Sequence, residues 1–187
     1  MRRIPVLLLL LATWSWAIPT GWAHDSAGPS GQPTGGSLFS DFNNDGFTDL
    51  AIGVPFEDVG AVGDAGAVNV LYGSAGGLQA TSPDDQFWNQ DSPGVRDTAE
   101  SNDDFGYSLG AGDFNNDGFA DLAIGMFAEG VGAVSGAGAV NVLYGSAGGL
   151  QATSPDDQFW NQDSPGVRDI AEVFDQFGSS LGAGDQE

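Results

Sequence analysis

"FGYSLGAGDFNNDGFADLAIG", residues 105–125, holds an aromatic-glycine pair, a Gly-Ala-Gly, an acidic turn and a β-rich run in one short stretch. Counted from Asp113, side-chain oxygen donors fall at positions 1, 3, 5 and 9, as Asp113, Asn115, Asp117 and Asp121, with Gly118 at position 6. Donors on alternate residues of a tight loop can converge on one point. The glycine permits the sharp turn that aims the main-chain carbonyl of Phe119 inward. A hard cation takes about six to eight oxygens at roughly 2.3–2.6 Å, so this register predicts a calcium loop. Zinc or copper would favour imidazole or thiolate, and magnesium demands a tighter octahedron. An Asp-Gly turn with incidental acids is the plainer alternative. An EF-hand is a poorer one, because position 12 is Ile124 instead of Glu and the following residues are β-rich.

The arrangement occurs a second time. In "DFNNDGFTDL", residues 41–50, Asp41, Asn43, Asp45 and Asp49 supply side-chain oxygens, Phe47 the carbonyl and Gly46 the turn. The two loops are 72 residues apart, and residues 65–97 recur without change at 137–169 with the same offset. A fixed period of this kind signifies a repeat architecture, and so long an identity signifies a recent duplication. Each unit contains four short β-rich runs bounded by Gly, Ser, Pro or Asp. In the second unit they start from Phe105 ("FGYSLGAGDF"), Asp121 ("DLAIGM"), Ala137 ("AGAVNVLYG") and Asp157 ("DQFWNQ"). Four such strands describe one blade of an antiparallel β-propeller. Between the last two, "SAGGLQATSPDD" reads as a loop, since Pro83 and Pro155 cannot donate to a ladder.

The expected fold class is therefore all-β: about two propeller blades plus the start of a third. The first unit covers 37–104, with an incomplete lead strand in "GGSLFS"; the second covers 105–176; a third begins at 177–187 and breaks off, so the array reads as partial. Residues 1–23 read as a secretory signal peptide, with charged "MRR", an apolar core and small residues ahead of a cut after Ala23 or, alternatively, Ala17. Residues 24–36, "HDSAGPSGQPTGG", have the composition of a flexible linker.

Without the first segment, Arg96 and Arg168 alone face 26 acidic residues, a net charge of −24. That surplus excludes nucleic acid as a partner and calls for cations to offset self-repulsion. There is no cysteine, which removes disulfides and thiolate chemistry, and no histidine lies within the repeats. The carboxylates sit in ligand register instead of as an acid-base pair, so no catalytic residue is assigned and the chain is read as non-enzymatic. Tyr72, Tyr144, Trp88, Trp160, Phe87 and Phe159 fit packing between blades better than a recognition surface.

On these residues, Phe105-Gly106, Gly110-Ala111-Gly112 and the acidic loop after them, the chain resembles the FG-GAP repeats of the integrin α-chain β-propeller. The resemblance implies calcium at Asp41, Asn43, Asp45, Phe47 and Asp49 and at Asp113, Asn115, Asp117, Phe119 and Asp121, two ions in all. It also implies a secreted, surface or periplasmic protein with a structural, adhesive or ligand-binding role toward an extracellular protein or carbohydrate. No membrane span is expected after signal removal, and uncovered blade faces would favour self-association. Two alternatives accompany this reading: a non-catalytic part of a larger extracellular propeller enzyme that cleaves polysaccharide or phospholipid, and a truncated product without independent function. The family's propellers have about seven blades, and this chain departs from that number.

Overall fold

The structure, a computed structural model, describes residues 37–182 apart from Ser82. The signal peptide expected at 1–23, the linker at 24–36 and the last residues of the third unit, 183–187, lie outside the described residues.

Eight strands form two antiparallel sheets of four. Strands β1 (Ser37–Ser40), β2 (Asp49–Val54), β3 (Ala67–Leu71) and β4 (Gln86–Trp88) make the first in the order β1-β2-β3-β4. Strands β5 (Ser108–Gly112), β6 (Asp121–Met126), β7 (Ala139–Leu143) and β8 (Gln158–Trp160) repeat that order in the second. Each sheet is a meander of neighbouring strands, the form of a propeller blade. The curtailed lead sequence "GGSLFS" still supplies a strand of 4 residues against the 5 of β5. The register pairs Ser40 with Asp49 and Gly112 with Asp121, so each acidic loop is the tip of the first hairpin in its blade. The Pro83 and Pro155 segments lie outside the strands, held by isolated bridges such as Tyr72 to Gln79 and Tyr144 to Gln151.

The Phe-Gly pair that opens the second unit, Phe105-Gly106, forms the seam with the blade before it. Phe105 N donates to the Ala65 carbonyl at 2.9 Å, beside a parallel bridge between Gly66 and Phe105. A Cβ placed on Gly53 would lie 2.1 Å from the Gly106 carbonyl oxygen, and one on Gly66 would lie 2.3 Å from Phe105 N. Only hydrogen can occupy either position, which is why glycine stands at both. The next seam has the same construction: Phe177 N donates to the Ala137 carbonyl at 2.8 Å, and a Cβ on Gly125 would meet the Gly178 oxygen at 2.1 Å.

Closing that seam merges the facing sides of the blades into one core. Phe42, Ala51, Val68, Val70 and Tyr72 of the first blade pack with Phe105, Leu109, Leu122, Ile124 and Leu143 of the second. Identical residues differ in burial according to what covers them. Phe42 is fully buried whereas its counterpart Phe114 is 50% exposed, and Leu150 is 2% exposed whereas Leu78 is 44% exposed. The aromatics fall largely on the packing side: Tyr72 and Tyr144 are buried, Trp88 and Phe159 border the main core and Trp160 a second cluster, while Phe87 is 49% exposed.

Polar contacts reinforce the seam. The Tyr72 hydroxyl and Gln86 Oε1 both accept from Leu150 N at 3.0 Å, and Gln86 Nε2 donates to the Leu150 carbonyl at 3.0 Å. Arg96 N donates to the buried Asp157 carboxylate at 2.8 Å, and its guanidinium pairs with exposed Asp156 at 2.6 Å. Replacing Gly53 by Ala should lower stability by about 3 kcal/mol, the scale of forced overpacking against rigid backbone. Gly76→Ala, where the nearest atom would lie 3.6 Å away, should change it by under about 1 kcal/mol. Thermal unfolding of the two variants checks this, and equal midpoints would contradict it.

Candidate metal centre

Each acidic loop winds its side chains onto its own backbone. In the first, Asp41 Oδ1 and Asn43 Oδ1 both accept from Asp45 N at 3.1 and 3.0 Å, Asp41 Oδ2 accepts from Gly46 N at 2.9 Å, and Asp45 Oδ1 accepts from Phe47 N at 2.9 Å. Asn43 Nδ2 donates to Asp45 Oδ2 at 3.2 Å. The second loop makes the same five bonds through Asp113, Asn115 and Asp117, at 2.9 to 3.0 Å. Gly46 and Gly118 take the turn at φ +87° and +91°. The side chains at positions 1, 3 and 5 thus fold onto the amides of an exposed loop, and the three carboxylates of either loop do not gather within 4.8 Å of one another.

Position 9 behaves differently. Asp49 is fully buried, and its two carboxylate oxygens accept from Phe42 N and Gly73 N, each at 2.8 Å. Asp121 does the same for Phe114 N at 2.7 Å and Gly145 N at 2.9 Å. This residue therefore ties the loop to the end of the third strand of its blade. Burial pushes the Asp49 carboxyl above the usual range, the Gly73 and Phe42 amides pull it back, and the charges of Asp41 and Asp45 push it up again. Asp121 is raised by the same causes. Each accepting oxygen keeps a second lone pair, so anchoring does not exhaust Asp49 or Asp121 as a donor. The donor set of each loop is all oxygen, which fits a hard cation and not a soft one.

A second acidic cluster, which the repeat motif did not reveal, lies elsewhere. Among the described residues, Glu100, Asp103 and Glu129 are the only three acidic side chains whose oxygens come within 4.8 Å of one another. Asp103 and Glu129 are buried at 3% and 2% exposure, and Glu100 is exposed. Gln90 Nε2 donates to Glu129 Oε2 at 2.8 Å, and Glu100 N donates to Asp103 Oδ2 at 2.6 Å. Glu129 is pushed up to about 8, first by burial and then by the Asp103 charge, with the Gln90 bond opposing and Asp97 and Glu100 adding to the rise. Asp103 is pushed up to about 6 by burial, against the Glu100 amide and with repulsion from Glu100, Asp97 and Asp104. Asp104 reaches about 6 through burial and then the Asp64 charge. A clue to the cluster does exist in the sequence: Glu57, Gln90, Glu100 and Asp103 recur 72 residues later as Glu129, Gln162, Glu172 and Asp175.

Two stretches, 106–110 and 178–182, carry the G-x-S-x-G spacing of a nucleophile elbow. The geometry is not that of an elbow. Ser108 is the first residue of β5, 7% exposed, and its Oγ donates to the Gly178 carbonyl at 2.6 Å across the second seam.

The family model described as FG-GAP repeat matches residues 36–71 and 105–143, the segments that carry β1 to β3 and β5 to β7. The chain thus contains FG-GAP repeats in two places. It is similar to phosphatidylinositol-glycan-specific phospholipase D of Mus musculus, 35% identical over 147 residues that make up 77% of this chain and 15% of the relative. The same-named protein of Rattus norvegicus is 35% identical over 62% of this chain and 13% of its own length. Integrin alpha-3 of Mus musculus is 39% identical over 59% of this chain and 9% of its own length. The chain thus spans well under a fifth of these relatives. No helix among the described residues is long and apolar enough to cross a membrane.

Asp49→Ala should destabilise the chain by about 3 kcal/mol even in chelator, because it strands two buried amides at roughly 1–3 kcal/mol each. Asp45→Ala, at an exposed position, should change stability in chelator by less than about 1 kcal/mol. Equal losses in denaturant unfolding would contradict the anchoring role. A second expectation concerns pH. Glu129, Asp103 and Asp104 have folded pKa values above their unfolded values of 4.5, 3.8 and 3.8, so the folded chain holds protons that the unfolded chain has released. Their contribution is full below about pH 4 and is lost as pH rises through 6 to 8. Without divalent cations the unfolding midpoint should be lower at pH 8 than at pH 5; a midpoint that stays level or rises would overturn the assignment.

Proposed function

We propose that the chain is a calcium-binding propeller segment that works outside the cytoplasm as a structural or ligand-binding module. The observation that carries this is the duplicated loop: two copies, 72 residues apart, in which Asp, Asn and Asp at alternate positions are held by the same five bonds. Asp41, Asn43, Asp45, the Phe47 carbonyl and Asp49 would hold one ion, and Asp113, Asn115, Asp117, the Phe119 carbonyl and Asp121 the other. Three carboxylates per loop repel one another, and a divalent cation would cancel most of that repulsion in a way that no basic side chain of the loop can. The role of the ion is to fix the hairpin tip and, through Asp49 or Asp121, the end of the neighbouring strand.

Export is supported by the charged "MRR" and the apolar run that follows it. A ligand, if one is bound, belongs to the protein or carbohydrate class, and catalysis is assigned to no residue of this chain. A second reading has its own support in the phospholipase D relatives, which match over as much as 77% of this chain. On that reading the blades are an accessory part of a phospholipid-cleaving protein, and the chemistry lies outside the matched repeats.

Calcium titrated into the chain should raise its thermal midpoint, by about 2.7 kcal/mol of stability at one hundred times the dissociation constant for each site. Extracellular modules bind calcium at roughly 0.1–1 mM, so millimolar calcium is the range to use. Asp45→Ala combined with Asp117→Ala should remove the share of the rise that the two loops supply. An unchanged midpoint in the parent chain, or a rise in the double variant as large as in the parent, would refute the calcium reading.

A further inference from the structure

We propose that Gln90, Glu100, Asp103 and Glu129 form a divalent-cation site of their own in the seam between the blades, separate from the two hairpin loops. The residues come from three segments: Gln90 follows β4, Glu100 and Asp103 lie in the connection to the second blade, and Glu129 follows β6. Asp121 opens β6 and Glu129 lies beyond its other end, and a strand of 6 residues extends about 17 Å, so this cluster cannot share an ion with the second loop.

Three carboxylates gathered within 4.8 Å need a compensating charge, and no basic group is among those acting on Asp103 or Glu129. Oxygens that close can share one ion at about 2.4 Å, the calcium distance. The independent sign of a ligand is Gln90. This side chain is 1% exposed and aimed into the cluster by its bond to Glu129, yet its Oε1 has no hydrogen-bond partner. Leaving a buried amide oxygen unsatisfied is costly. Turned inward without a cation, Oε1 would meet carboxylate oxygens, so the amide presents Nε2 instead and strands its acceptor. A cation resolves both conflicts: the amide turns over and Oε1 becomes a fourth oxygen ligand beside the three carboxylates.

The repeats support this where they have diverged. Between 97–105 and 169–177, Thr98, Ser101, Asn102 and Asp104 are replaced by Ile170, Val173, Phe174 and Gln176, while the Glu and Asp of the cluster remain as Glu172 and Asp175. Around Glu129, Pro55, Phe56 and Asp58 are replaced by Phe127, Ala128 and Gly130, and the acid remains. Glu172 N donates to Asp175 Oδ2 at 2.8 Å as Glu100 does to Asp103, and Gln162 Oε1 is again buried without a partner. Half of the site is thus rebuilt at the edge of the second blade.

Calcium stoichiometry measured by isothermal titration on the full chain tests this. With both loops disabled by Asp45→Asn and Asp117→Asn, one calcium should still bind, and adding Glu129→Gln or Glu100→Gln should remove it. Glu100 is exposed, so its substitution leaves the fold intact, and circular dichroism verifies that each variant is folded. A folded loop-disabled chain that takes up no calcium overturns the proposal, as does uptake unchanged by both Gln variants, which would leave a shared proton as the occupant. If the parent chain binds one calcium that Glu129→Gln removes and the loop substitutions do not, the seam site stands and the loop reading fails.

Discussion

The structure depends on a backbone contact: the carbonyl oxygen of Gly106 occupies the space that a side chain at Gly53 would fill. No residue with a Cβ is compatible with that approach, and it sets how closely one blade lies on the next. With the blades at this distance, Phe42 and Phe105 are fully buried, and the Tyr72 hydroxyl reaches Leu150 N on the neighbouring blade. The same closeness brings the connection between the blades over the turn that follows β6, which is how Glu100 and Asp103 come to meet Glu129. Packing and charge are therefore coupled at the seam.

Charge is the second theme. The chain collects acids at both ends of β6, where burial and mutual repulsion raise the carboxyl groups above their ordinary range. Arg96 offsets one of the buried acids, Asp157, and shares its guanidinium with Asp156. Among the described residues the remaining acidic groups have no such ion pair, and divalent cations are the agents with enough charge in a small volume to offset them. In this account the ions are structural: one class fixes hairpin tips and the other joins blades.

Much of this was legible in the sequence, for identifiable reasons. The 72-residue period, the glycine-bounded β-rich runs and Pro83 and Pro155 together marked the four strands of each blade and the loop between the last two. The alternate spacing of Asp41, Asn43 and Asp45 marked an exposed turn, in which these side chains accept from the loop's own amides. Other features depend on contacts between distant residues. Asp49 reads as one more ligand, and only the fold shows its two oxygens holding Phe42 N and Gly73 N. Phe42 and Phe114 are the same residue in the same motif, and their difference in burial comes from the neighbouring blade. The Glu100, Asp103 and Glu129 cluster joins segments far apart in the chain, so spacing within one motif could not disclose it. Likewise, G-x-S-x-G at 106–110 is a spacing without its structural context, since Ser108 opens a strand and bonds across a seam.

The most direct test of the central claim, that cations hold these acidic groups, is anomalous diffraction from crystals of the chain grown with calcium or with a lanthanide in its place. The account predicts a peak inside each hairpin loop, at roughly 2.3–2.6 Å from the side-chain oxygens of Asp41, Asn43 and Asp45 and of their counterparts Asp113, Asn115 and Asp117. Loops that keep their present hydrogen bonds at millimolar calcium, with no anomalous peak in either, would contradict it.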